Sequence, residues 1–142
     1  MIDIAERLEV DLEAEKEGVW EKVEGIPVRL ARWGNPRSQR RFDALMKPHQ
    51  YEQDRGTLPD EVRDEIINRV LAETIITDVG EDLGFRGEPL VATPACLLNV
   101  LSDPEMKDFR DGVLNRSQKA DGYRKRTIEE RAKNSETSSA GS

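Results

Sequence analysis

The chain has 142 residues and a mass of 16.1 kDa, with 22 Lys+Arg against 29 Asp+Glu, a net charge of -7 and a mean hydropathy of -0.72. That length suits one compact domain, and at 36% hydrophobic and 36% charged, part of the chain is expected to lie outside any core. A single cysteine, Cys96, excludes an internal disulfide and, with the one histidine, His49, excludes Cys/His zinc frameworks; no apolar run reaches the ~18–20 residues of a membrane span, and the acidic start MIDIAERLEVDLEAE is the opposite of a signal peptide.

In chain order, Ile4, Leu8 and Leu12 recur at intervals of four and make a narrow apolar stripe on an acidic helix over residues 1–17, ended by Gly18, that could serve as a mobile arm. The segments VWEKV and IPVRLARW then read as two short strands joined by a tight turn at Glu24-Gly25, with Trp20 and Trp33 as apolar anchors that seal the hairpin onto helices. Asn35 caps a helix that opens with Pro36 and turns Phe42, Leu45 and Met46 inward; Pro48 kinks or restarts it, and Gly56 stops it after Arg55. The core helix follows. Thr57 and Asp60 form a capping-box-like start, and Val62, Ile66, Ile67, Val70, Leu71 and Ile75 carry its apolar stripe to about Asp78, some 30 Å at about 1.5 Å per residue.

The glycine-rich stretch VGEDLGFRGEPLVA reads as a loop with one extended piece at Leu90 and Val91. Thr93-Pro94 caps a short helix through Leu101, and Ser102 to Glu105 start another whose apolar face is Met106, Phe109, Val113 and Leu114. A last, mostly charged helix runs from about Gly122 to Lys133 with Tyr123 and Ile128 as its apolar contacts, and NSETSSAGS reads as disordered. The expected fold is mainly α. A helical domain at 18–133 contains an N-terminal two-stranded β-hairpin, follows an acidic amphipathic arm at 1–17, and precedes a disordered tail at 134–142.

Charge is distributed in blocks. Residues 1–17 hold seven acids against Arg7 and Lys16; residues 25–42 hold no acid but carry Arg29, Arg32, Arg37, Arg40 and Arg41; residues 116–133 are basic again. Such blocks suit pairing with copies of the chain or with a charged partner, and equally suit plain solubility. A nucleic-acid patch at the arginines would sit in a protein whose net charge repels phosphate elsewhere, so the acidic arm or a protein partner is the expected counter-charge. The candidate partner-binding residues are Arg32, Arg37, Arg40 and Arg41, with Ile4, Leu8 and Leu12 as an arm that docks on assembly.

Catalytic signals are weak. Asp60, Glu61, Asp64 and Glu65 pair carboxylates at i, i+4, but acids in the first turns of a helix are what its dipole favours. His49 lacks a partner at a diagnostic spacing and reads as a surface histidine; Cys96 reads as a small core residue. The chain has no Walker loop, GxGxxG or GxSxG. No catalytic residue, metal site or cofactor is expected.

An ordered series of segments over residues 18–134 resembles the tail assembly chaperones of long, flexible-tailed bacteriophages: GVWEKVEGIPVRLARWGNP, MKPH, RGTLPDEV, RVLAETIITD, a spacer ending GEPL, LLNVLSDPEMKDFRD and ERAKN. The order and spacing carry the resemblance. The sequence departs from the family pattern at Ser38, where an aromatic residue usually follows GNP, and at Val79, where tryptophan commonly follows the LAET helix. The resemblance implies a non-catalytic, mainly helical protein of the infected host's cytoplasm that is absent from the mature virion. It would bind and solubilise the tape-measure protein and help recruit tail-tube proteins, with self-association and with neither nucleic acid nor membrane as partner. It also implies two product lengths by programmed frameshift, for which Ala132-Lys133-Asn134 could supply the slippery codons GCA AAA AAC. The alternative is a structural tail or head-tail connector subunit retained in the virion; the third reading is a small nucleic-acid-binding regulator.

Overall fold

The computed structural model describes residues 1–141, with side chains described as far as Lys133. The N-terminal segment forms two helices instead of one, α1 (Ile4–Leu8) and α2 (Leu12–Glu17). Asp3 and Asp11 each accept backbone N–H groups at a helix start, so Asp11 ends one helix by capping the next. Between them Val10 bridges Arg124 as an antiparallel pair, Asp11 donates its N–H to the Tyr123 carbonyl (2.8 Å), and Lys125 donates to the Glu9 carbonyl (3.1 Å). The expected mobile arm is therefore tied by backbone hydrogen bonds to the chain's C-terminal part.

Strands β1 (Val19–Val23) and β2 (Ile26–Leu30) form the expected hairpin, with Val19 opposite Leu30 and positive φ at both Glu24 (50°) and Gly25 (79°), the turn geometry that matches strand twist. The hairpin is extended by a third strand. Helix α3 (Pro36–Met46) passes through a 3-10 turn at Lys47–His49, containing Pro48, into α4 (Gln50–Arg55). Helix α5 (Asp60–Val70) then winds into a π turn at Leu71–Ile75 and emerges as β3 (Ile76–Val79), antiparallel to β2 with Val79 opposite Val28 and Ile76 opposite Leu30.

The core helix thus ends well before the expected Asp78. Thr74 bonds back to the Val70 carbonyl (2.7 Å), and the β-branched run Ile75-Ile76-Thr77 fits the open edge of β2 better than another helical turn. The helix start also differs, because Pro59 occupies the cap position without a side-chain bond and Leu58 is buried.

Within the stretch expected as a loop, Gly84–Phe85 (β4) and Glu88–Pro89 (β5) make a small hairpin. Helix α6 (Pro94–Leu101) is capped by Thr93 as expected; Asp103 caps a 3-10 turn at Pro104–Met106 that leads into α7 (Lys107–Gln118). Gly122 and Tyr123 belong to a 3-10 turn at Ala120–Tyr123, so the last helix, α8 (Lys125–Gly141), starts later than expected and its backbone continues past Lys133. The disordered tail expected at 134–142 falls on positions whose side chains, and at Ser142 the backbone, lie outside the described residues.

The core is the inner face of the sheet (Val23, Val28, Leu30) closed by Val70, Leu71 and Ile75 and by α6 and α7 through Leu97, Leu101 and Val113. A satellite cluster of Met46, Leu58 and Ile66 lies under α3. At Gly112 an added Cβ would lie 2.5 Å from Val23 Cγ1, so only glycine lets α7 press this closely on β1. Trp33 packs edge-on against Phe42 (6.1 Å between centroids), whereas Trp20 is 49% exposed. Strand alternation accounts for Trp20, which shares the outer face with Lys22 while Val19, Glu21 and Val23 alternate with it.

Asn35 joins these elements. Its Oδ1 accepts from the Arg37 and Ser38 N–H groups (2.9 and 3.1 Å), its Nδ2 donates to the Arg32 carbonyl (2.8 Å), and the residue is 6% exposed. Asn35→Ala is expected to cost about 1–3 kcal/mol, because it removes a helix cap and strands buried partners. A lower urea midpoint at unchanged slope checks this.

Candidate functional site

The N-terminus of α3 and the side of α2 enclose a cleft of about 360 Å³, lined by Leu12, Lys16, Asn35, Pro36, Arg37 and Arg40 with Glu15. Three of the seven residues singled out in the sequence, Leu12, Arg37 and Arg40, meet here. Arg32 stands behind them in a 2.5 Å ion pair with Glu15, while its backbone N–H donates to the Glu15 carbonyl (2.8 Å). The pairing of the arginine block with the acidic arm is therefore present within one molecule at this point.

The other arginines of the block are mostly engaged as well. Arg41 makes two hydrogen bonds to the Glu73 carboxylate (2.6 and 3.2 Å), and this bonding holds its guanidinium above its ordinary pKa. Arg37 donates to the Glu73 carbonyl (3.3 Å) and Arg29 to the Gly18 carbonyl (3.2 Å). Arg40 alone in the block carries no hydrogen bond or ion pair among the described residues. Arg32 and Arg41 are thus braces of the fold, and Arg37, Arg40 and Lys16 are the cations at the mouth of the cleft. Lys16 was missed in the sequence because it sits in a segment whose net charge is negative.

Ile4 and Leu8 lie outside this cleft, one turn apart on α1, and are exposed at 72% and 53%; Leu12 is exposed at 74%. Neither α1 nor α2 contains a buried residue, although Lys125 pairs with Glu9 (2.8 Å) and this contact holds the Lys125 ammonium above its ordinary pKa. The arm therefore presents apolar side chains to solvent from a fixed backbone.

A cleft of about 630 Å³ between α5 and the junction of α6 with α7 is lined by Leu98, Leu101 and Pro104 together with charged side chains, and Arg110 crosses it to bond Asn68 (2.9 Å), Asp64 (3.2 Å) and Asp111 (3.1 Å). Of the early α5 acids, Asp64 is taken by that contact and Glu65 by Arg69 (3.6 Å). His49 lies 3.5 Å from Glu52, and Cys96 is half-buried with its Sγ 4.0 Å from the Pro89 carbonyl, so it is less enclosed than a core residue. No cluster of three His, Cys, Asp or Glu side chains placed to hold a metal occurs among the described residues.

A third cleft, of about 340 Å³, lies between the β4–β5 hairpin and α7, and its floor is apolar. The sequence offered Met106 and Phe109 as one helix's apolar face but not this cleft, because the wall with Phe85 comes from the stretch read as a loop. No family model matches the chain, and no curated protein or solved structure shows significant similarity to it. Among the described residues no helix is long and apolar enough to cross a membrane.

Proposed function

We propose that this protein is a non-catalytic phage tail assembly chaperone that binds and solubilises the tape-measure protein in the host cytoplasm and helps recruit tail-tube subunits. The reading rests on the ordered resemblance over residues 18–134, and one structural observation favours it. Ile4, Leu8 and Leu12 stand exposed on a backbone fixed in place, with Leu12 beside Lys16, Arg37 and Arg40. A fixed array of apolar side chains next to cations suits the apolar and acidic face of a long helix, and holding the arm in place beforehand lowers the ordering cost of binding.

The test is co-expression with the tape-measure protein encoded beside it, followed by pull-down and a comparison of its solubility with and without this chain. Co-purification with rescued solubility is the expected result; an insoluble, unbound tape measure in the presence of the folded chain removes the reading. The variant Arg37→Glu/Arg40→Glu is expected to weaken capture about tenfold or more with unchanged helical content. Detection of the chain in purified virions would instead favour a structural subunit.

A further inference from the structure

The cleft between the β4–β5 hairpin and α7 has features the arginine cleft lacks. Its floor is formed by Ile26, Leu90, Val100, Met106 and Phe109, with Phe85 as one wall, and its charged lining is acidic throughout: Glu24, Glu105 and Asp108. Glu105 lies 3.7 Å from Arg86, but Glu24, at the tip of the β1–β2 turn, and Asp108, in the first turn of α7, carry no ion pair among the described residues.

The wall is held in place. Arg86 stacks over the Phe85 ring (5.1 Å) and anchors to Asp103 (2.8 Å), whose carboxyl is held below the ordinary carboxylate range first by the Glu105 N–H and then by Arg86. Phe85 therefore faces a preformed groove, and Met106 supplies an adaptable surface inside it.

We infer that this groove docks a basic amphipathic helix of a partner protein, with apolar side chains on the half-buried Leu90, Met106 and Phe109 and with flanking Lys or Arg against Glu24 and Asp108. Charge complementarity selects this occupant. The chain's own exposed apolar segment, with Ile4 and Leu8, carries acids at Asp3, Glu6 and Glu9 and would be repelled by the same rim from a second copy. The chain's basic helix α8 offers Ile128 as its one large apolar side chain through Lys133, and that residue is already half-buried. Of the floor residues Val100 comes from α6, Phe109 from α7 and Met106 from the 3-10 turn between them, with Ile26 of β2 and Leu90 completing the surface, and a volume of about 340 Å³ accommodates a few apolar knobs spaced at i, i+3 and i+4. The inference is independent of the tape-measure reading.

The probe is a synthetic helical peptide of ~18 residues with leucines on one face and lysines on both flanks, titrated into the methyl-labelled full chain; its control has glutamate in place of lysine. Saturable shifts at Leu83, Leu90, Val100 and Met106 methyls are expected, with the glutamate peptide about tenfold weaker or worse. Glu24→Lys/Asp108→Lys, two exposed substitutions, is expected to reverse the preference between the peptides. Absence of groove shifts, shifts confined to residues 1–17, or an unchanged preference in the reversed-rim variant would each overturn the inference.

Discussion

Tyr123→Ala is expected to destabilise the protein by about 3–5 kcal/mol, the range for emptying an aromatic site in a packed core. Tyr123 is 2% exposed although its neighbours in the chain are a charged loop and a charged helix. Its hydroxyl donates to the Leu30 carbonyl (3.0 Å), beside the strand pairing of Leu30 with Ile76, and its own carbonyl accepts the Asp11 N–H. One side chain therefore sets the position of the turn to which the N-terminal arm is bonded. Loss of amide-exchange protection at Asp11 before loss of protection in β2 would show that the arm depends on this residue.

Tyr123→Phe separates the hydroxyl from the ring. Removing the bond to Leu30 is expected to cost about 1 kcal/mol. Burial first, and then the Glu21 carboxylate, push the phenol above its ordinary pKa. The folded value thus exceeds the unfolded one, near 10, so the neutral hydroxyl's contribution is fully present below about pH 10 and is lost as pH rises toward the folded value. Urea unfolding of wild type and Tyr123→Phe from pH 8 to 11 should show a gap that is constant up to about pH 10 and narrows above it. A gap independent of pH would mean that the hydroxyl stays equally solvated in both states.

What the sequence carried was local chemistry. Asn35-Pro36, Thr93-Pro94, Pro48 and the Glu24-Gly25 turn act within a few residues, and each element they predict is present. What it did not carry was competition between distant segments. Residues 71–79 have helical spacing in their apolar positions, but β2 needed a partner on its second edge, and Ile76–Val79 supply it across more than forty residues. The same limit applies to the site. Arginines at 32, 37, 40 and 41 look alike in sequence, and their roles diverge only because Glu15 and Glu73 arrive from elsewhere in the chain. Leu12, Arg37 and Arg40 were legible as an apolar and a basic signal; that they share one cleft follows from the bond between Arg32 and Glu15.

Gly18→Ala should produce a loss of about 2–5 kcal/mol through a different route, backbone strain combined with overpacking. Gly18 ends α2 at φ 106° and ψ 158°, a region that residues with a Cβ avoid. Its N–H closes the helix onto the Ala14 carbonyl (2.8 Å), and its carbonyl accepts from Arg29. A Cβ there would lie 2.7 Å from Thr77 Oγ1 and 3.1 Å from the Leu30 carbonyl carbon. Three segments meet at this point, since Thr77 Oγ1 also donates to the Glu17 carbonyl (2.7 Å). Thr77→Ala in the Gly18→Ala background removes the nearest atom but leaves the φ strain and the Leu30 approach. The double variant should therefore recover part of the loss, a non-additive result readable in a double-mutant cycle. Strict additivity would mean that the α2 terminus moves away from β3 when crowded. In that case the arm's position, and with it the cleft holding Leu12, Arg37 and Arg40, would depend on its remaining ties, the bonds of Glu15 to Arg32 and the pairing of residues 9–11 with residues 123–125.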